Sequence, residues 1–282
     1  MPELPELEVV KEVLQRRVVG TTIEGVEVVP PGGPVVVRDL TQFGFGQALT
    51  GATITAVDRR GKFLLFSIDR VGASIDRRLH LVLNPKLTGR LQLATAADRR
   101  HKKTHVVFSL SNGDELRYVD QKQMGQLYLT CGLSQVPDFA NMGPEPSAIS
   151  PEEFRARLRQ YRGEIKGILT RGELVAGIGS AYADEVLWAA RIHPYRKRTQ
   201  LTAEATDRLY FAMQSTLTNA VNRVRIEMAD AIHLKPRDFL SVHMKSGQPC
   251  PRCGSPISVV SANQRITNFC RACQPGGLIR GL

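Results

Sequence analysis

Cys250-Pro-Arg-Cys253 and Cys270-Arg-Ala-Cys273 enclose sixteen residues. Two CxxC pairs at this spacing, each on a tight turn, can bring four thiolates onto one tetrahedral zinc ion. So short a hairpin buries too little apolar surface to hold itself, and the metal supplies its folding energy. Four thiolates leave no open coordination position, so the expected zinc is structural. Two disulfides are the competing reading; the lack of a secretory signature and the lone fifth cysteine, Cys131, speak against them. Between the pairs runs Gln264-Arg265-Ile266-Thr267, which places Arg265 near the tip of a metal-locked turn. An arginine held there suits a phosphate or a base edge; a solubilising surface arginine is the alternative.

Charge points the same way. The 282 residues carry a net charge of +11. Residues 191–282 hold 14 Lys+Arg against 5 Asp+Glu, and no carboxylate occurs from Phe239 to Leu282. A basic segment of this kind attracts polyanions, nucleic acid first among them; a merely soluble basic face is the plainer alternative. With 42% hydrophobic and 23% charged residues the chain is of globular composition, not disordered or collagen-like. The longest uncharged run, Leu40–Val57, is half Thr, Gln or Gly and cannot span a membrane. The acidic, proline-punctuated start lacks the features of a signal peptide, so a cytoplasmic, nucleoid-associated location is expected.

Upstream, hydrophobic periodicity divides the chain. Leu7, Val10, Leu14 and Val18 form one face of a short helix over Glu6–Val18. Short Val-, Ile-, Thr- and Phe-rich runs follow at Thr21–Val29, Thr53–Val57, Phe63–Ile68, Leu79–Leu83, His105–Leu110, Leu116–Val119 and Gln126–Thr130, with an Asn112-Gly113 hairpin signal among them. The first half is therefore a strand-rich sandwich or barrel behind a leading helix. Four prolines mark a linker over 131–151. Ser150-Pro151-Glu152-Glu153 reads as a helix start, with Ser150 as cap. Helical patterns continue at Phe154–Tyr161, Ile165–Thr170, Tyr182–Ala190 and Thr202–Val224.

The chain opens Met1-Pro2-Glu3. Removal of the initiator Met would leave Pro2 as a free secondary amine, titrating near 7.7–8.0 rather than near lysine's 10.4. Such an amine attacks an aldehyde-like carbon without a partner base. The resulting iminium keeps its charge and acidifies the neighbouring C–H. Glu3 stands one residue away to donate or accept protons. A proline lead-in to the helix is the structural alternative.

Taken together, Met-Pro-Glu-Leu-Pro-Glu-Leu-Glu at residues 1–8, the Gly61-Lys62 element, the Val175–Glu185 stretch VAGIGSAYADE and the paired cysteines with Gln264-Arg265-Ile266-Thr267 resemble the formamidopyrimidine-DNA glycosylase family. The resemblance covers essentially the whole chain. It implies a two-lobed α+β protein: an N-terminal β-sandwich with its leading helix, and a C-terminal helical lobe with a helix–two-turn–helix motif and a four-cysteine zinc finger. The expected division is 1–132 catalytic sandwich, 133–150 linker, 151–240 helix–two-turn–helix and 241–282 zinc finger. The implied partner is damaged double-stranded DNA, held by a monomer with no obligate protein partner, with the damaged nucleotide flipped out. Carried over, Pro2 attacks C1′ and displaces the base, Glu3 is the proton donor, Lys62 contacts the lesion and its phosphate, and Arg265 grips phosphates and serves δ-elimination. Glu6 matches a glutamate beside the flipped nucleotide; simple helix capping is its alternative role. Arg59 and Arg60 are expected to extend a basic edge around Lys62.

The chain also departs from the family pattern. Ser180 stands where the family has a DNA-contacting Asn, and reaches less far. Leu87, Lys122 and Met124 stand for the side chains that fill the gap left by the flipped base. Lysine lacks arginine's planar fork, while Leu and Met can still wedge between bases. Lys103 replaces a DNA-contacting histidine, and Val82–Lys86 reads as an insertion before Leu87. The Val224–Val242 stretch is shorter than the family's 8-oxoguanine-capping loop. That leaves formamidopyrimidines, oxidised pyrimidines and abasic sites as equal candidates. A non-catalytic or lyase-only damage binder on the same fold is the alternative function.

Overall fold

A computed structural model describes residues 1–70, 78–262 and 265–276. They form two compact units, one of residues 1–140 with 224–236, the other of residues 141–223 with 237–282.

The first unit starts with helix α1 (Leu4–Arg17). It begins earlier than its apolar stripe suggests, because Glu3 caps it and Pro5 occupies its first turn. Glu6, at the third helical position, accepts from the Glu3 N–H at 2.8 Å, closing a capping box. Arg16 and Arg17 face the negative end of the helix dipole. Leu7, Val10, Val13 and Leu14 are buried.

Strands β1 (Ile23–Val28) and β2 (Val37–Asp39), short helices α2 (Gly33–Val36) and α3 (Phe45–Leu49), and strands β3 (Thr53–Arg60), β4 (Phe63–Asp69), β5 (Leu79–Asn84), β6 (Arg90–Thr95), β7 (Thr104–Leu110), β8 (Asp114–Val119) and β9 (Gln126–Thr130) follow. They make a β-sandwich from a four-stranded sheet, β1-β7-β8-β6, and a five-stranded sheet, β2-β9-β5-β4-β3. Among the described residues β2 alone pairs parallel, to β9. Phe66, Phe108, Leu116 and Tyr118 are among the buried side chains. Each contributes about 1.5–3 kcal/mol by leaving water.

Two strands differ from the sequence pattern. The Leu79–Leu83 run forms central strand β5, which extends to Asn84 and pairs with β4 on one side and β9 on the other; Pro85 and Lys86 follow it in the loop. Leu81, Val82 and Leu83 are all buried, so the strand is covered on both faces and shows no alternation there. β6 was not anticipated, although Leu91 alternates inward between Arg90 and Gln92.

The second unit contains helices α4 (Pro151–Arg159), α5 (Ile165–Leu169), α6 (Ser180–Ala189) and α7 (Ala203–Met228) and the antiparallel hairpin β10 (Ile257–Ala262)–β11 (Arg265–Cys270). The last turn of α7 groups with the first unit. The Ser150 hydroxyl accepts from Glu153 N–H at 3.1 Å, and Pro151 takes the first helical position. Phe154, Leu169, Tyr182, Leu209 and Met213 are buried in one helical core. No helix among the described residues is long and apolar enough to cross a membrane.

Candidate active site and metal centre

Three side chains of the first unit's predicted site meet at the start of α1. Pro2 is buried, and Glu3 and Glu6 are each only 2% exposed. Pro2 and Glu6 line a small pocket whose other walls include Leu7, Arg90, Ile232 and Lys235. The 224–236 segment contributes to this pocket because ion pairs fasten it to α1: Arg225 to Glu12 at 2.8 Å and Arg16 to Asp230 at 3.1 Å.

Lys62 sits in a two-residue turn. Arg60 pairs with Phe63, leaving Gly61-Lys62 as the loop. Gly61 has φ +57°, which a primed turn demands at that position and which only glycine adopts without strain. The turn is tied to α1. The Arg59 guanidinium donates to Glu8 at 2.6 Å and to the Gly61 carbonyl at 3.0 Å. Gln15 reaches the Val57 carbonyl at 2.9 Å. Arg59 is thus a strut rather than part of a basic edge, its side chain 8% exposed. Burial pushes the Glu8 carboxyl up, but Lys11 and Arg59 outweigh that and hold it below its ordinary value.

This strut predicts a mutational result. Arg59→Leu is expected to cost about 2 kcal/mol, reduced from a fully buried pair because Glu8 is partly exposed. By releasing the Lys62 turn it should slow turnover by about 10- to 100-fold. Thermal melting and single-turnover rates of Arg59→Leu and Arg59→Lys test this; unchanged turnover would remove the positioning role.

The other first-unit candidates occupy the edge of the sandwich. Leu87, on the β5–β6 loop, is 41% exposed, and Met124, on the β8–β9 loop, is 48% exposed. Lys122 is exposed two residues before Met124, and Lys103 is exposed on the β6–β7 loop.

In the second unit the four predicted cysteines converge. Their sulfurs all lie within 4.8 Å of one another. Cys250–Cys273 is 3.9 Å and Cys253–Cys270 is 3.4 Å, against about 3.8 Å between ligands of a tetrahedral zinc with bonds near 2.3 Å. Without a cation the four thiols cannot all ionise. Donors from Ser255 bring Cys253 down to about 6, while burial and the neighbouring sulfurs push Cys273 up to about 12. A divalent ion removes this conflict. The donor set and spacing fit one structural zinc ion.

Helix α6 carries the zinc hairpin through buried polar bonds that the sequence reading did not anticipate. Asp184 holds Lys166 at 2.7 Å and His243 at 2.9 Å and accepts from the Asn268 N–H at 3.2 Å. Glu185 accepts from three consecutive backbone N–H groups, Ser241, Val242 and His243, each at 2.8 Å. Lys166 donates to the Ile266 carbonyl at 2.7 Å, and the Ser180 hydroxyl donates to the same oxygen at 3.1 Å. The residue after Arg265 is therefore doubly anchored. Arg265 opens β11, and its side chain lies outside the described residues, as does Gln264.

Known proteins place this architecture. The formamidopyrimidine-DNA glycosylase N-terminal domain matches residues 1–127, the formamidopyrimidine-DNA glycosylase H2TH domain 142–230, and the zinc finger found in FPG and IleRS 247–276. The chain belongs to the formamidopyrimidine-DNA glycosylase family. The formamidopyrimidine-DNA glycosylase of Symbiobacterium thermophilum is 38% identical over 98% of this chain and 90% of its own length. That of Moorella thermoacetica is also 38% identical, over 92% and 94%. Among solved structures, the Lactococcus lactis enzyme bound to a Fapy-dG-containing DNA superposes with TM-score 0.84 at 33% identity, covering 97% of this chain and all of that one. The same enzyme bound non-covalently to AP-site DNA gives 0.82 at 32%, again over 97% and all of that chain. The expected fold stands: a β-sandwich with a leading helix, a helical H2TH domain and a four-cysteine zinc finger.

Proposed function

We propose that this chain removes oxidised or ring-opened bases from duplex DNA and then incises the abasic site by β,δ-elimination. Family membership supports the DNA-repair class, since relatives of this length are named as glycosylases and the L. lactis structures hold damaged DNA. The observation that carries the chemistry is the start of α1, where Pro2 and Glu6 line one pocket and Glu3 adjoins Pro2. With Met1 removed, the Pro2 nitrogen attacks C1′. The glycosidic bond breaks and the base departs with a proton from Glu3. The C1′–O4′ bond then opens, with O4′ taking up the proton that the Pro2 nitrogen loses, and this leaves the iminium. The iminium acidifies C2′–H; loss of that proton expels the 3′ phosphate, and a second proton loss expels the 5′ phosphate. Water then hydrolyses the iminium and frees Pro2.

Lys62 and Arg265 serve the phosphates beside the reacting sugar. Glu6 borders the flipped nucleotide. Leu87, Lys122 and Met124 fill the vacated stack, and Lys103 and Ser180 hold the backbone. We assign 1–132 to the catalytic sandwich, 133–150 to the linker, 151–240 to the helix–two-turn–helix domain and 241–282 to the zinc finger, in a monomer that works on the nucleoid. The test is a panel of duplexes bearing 8-oxoguanine, formamidopyrimidine, thymine glycol, dihydrouracil or an abasic site. Multiple-turnover release of at least one base, with incision, is expected. Tight binding of all five with no product over long incubation would leave only a damage reader.

A further inference from the structure

The proposed wedge is spread over separate loops, and one side chain joins them. Asp120, which follows β8, is fully buried. Its carboxylate accepts from the Gly125 N–H at 2.8 Å, the Tyr118 hydroxyl at 3.1 Å and the Lys122 N–H at 3.2 Å. It also accepts from the Thr88 hydroxyl of the β5–β6 loop. That hydroxyl in turn accepts from the Lys122 N–H at 3.0 Å. Asp120's own N–H donates to the Lys103 carbonyl at 3.0 Å. Leu87 precedes Thr88 and Met124 precedes Gly125, so Leu87, Lys103, Lys122 and Met124 each attach within one residue to this carboxyl group or its backbone.

The attachment is tight. A Cβ at Gly125 would lie 1.9 Å from the Tyr118 hydroxyl, so that loop closes down on the Tyr118–Asp120 pair. Burial raises the Asp120 carboxyl, yet its donors, Thr88 and the Gly125 N–H foremost, outweigh that and keep it below its ordinary value. The group is held as an anion, the form that accepts from all of them. Meanwhile Leu87 and Met124, which would gain by burial, stay exposed. Rigid support beneath, with apolar tips above, is what insertion between bases requires.

We propose that Asp120 is the positioning residue of the wedge, coupling the Leu87 loop to the Lys122–Met124 loop through Thr88 so that both enter the DNA stack together. This rests on the reading of Leu87 and Met124 as wedge residues. A duplex with a tetrahydrofuran site, which cannot form an iminium, and 2-aminopurine as the opposite base reports insertion without chemistry. The wild-type chain should raise the fluorescence on binding. Asp120→Asn and Thr88→Val should each reduce that insertion equilibrium by about 3- to 10-fold, the value of one or two hydrogen bonds. Thr88→Ser, which keeps the hydroxyl, should restore it. Affinity for undamaged duplex should stay unchanged, which a general loss of folding would not allow.

Should Asp120→Asn fold poorly, the Thr88 pair decides alone. Wild-type fluorescence from Asp120→Asn or Thr88→Val, with the signal lost in Leu87→Ala/Met124→Ala, overturns the coupling and keeps the wedge. So does a Thr88→Ser signal no better than that of Thr88→Val. An unchanged signal from the Leu87→Ala/Met124→Ala double variant overturns the wedge reading itself, and the coupling with it.

Discussion

Glu3→Gln should slow release of an oxidised base by about 10²- to 10⁴-fold, the usual contribution of a positioned general acid. Incision of a duplex that already lacks its base should fall by less than about tenfold, because no base then needs a proton. Glutamine isolates the proton from the fold. It retains an acceptor oxygen for the capping interaction that Glu3 makes with the first turn of α1. Single-turnover rates on the two duplexes measure the split. Equal loss on both would move Glu3 to a step the two reactions share, or to helix capping alone.

The second large effect concerns the metal. Cys250→Ser should lower zinc content from one ion per chain and unfold the β10–β11 hairpin, because structural zinc is folding free energy for segments of this size. Affinity for damaged duplex should drop more than about tenfold, since each lost charged hydrogen bond from the hairpin is worth about 1.5–3 kcal/mol. The chain's single tryptophan offers a direct readout. The Trp188 indole N–H donates to the Cys250 sulfur at 3.4 Å, and the Arg252 guanidinium lies 4.1 Å from its ring centre. Chelator-driven zinc loss should therefore change Trp188 emission. It should also quicken as pH falls, because protons compete for ligands that bind only as thiolates and Cys273 without metal rises to about 12. Emission that ignores zinc removal, or a variant with full zinc content, would contradict this account of the centre.

What was legible in the sequence was local. The cysteine spacing needs only two turns and a metal, and Gly61-Lys62 and Asn112-Gly113 are turn chemistry. The Asn112-Gly113 turn spans three residues rather than two, with β7 ending at Leu110 and β8 starting at Asp114. α1 was found by its stripe, though its start was misjudged because glutamate is an unusual cap. The misses are long-range. Strand β6 escapes the pattern because only Leu91 is buried along it. Arg59 reads as part of a basic edge, and no local pattern singles out Asp120, Asp184 or Glu185; partners 32 to 84 positions away turn all four inward. Pattern rules treat a charged residue as solvated. Nothing short of the tertiary pairing reveals that four of them are internal fasteners of the site.

The central claim is that the chain's imino terminus bonds to the sugar. Incubating an abasic duplex with the protein under borohydride, after mass spectrometry has verified that Met1 is gone, and then mapping the cross-linked peptide, tests it directly. A reduced adduct on the peptide beginning at Pro2 is the predicted result. An uncross-linked chain with an open Pro2, or an adduct mapped to a lysine such as Lys62, would contradict it.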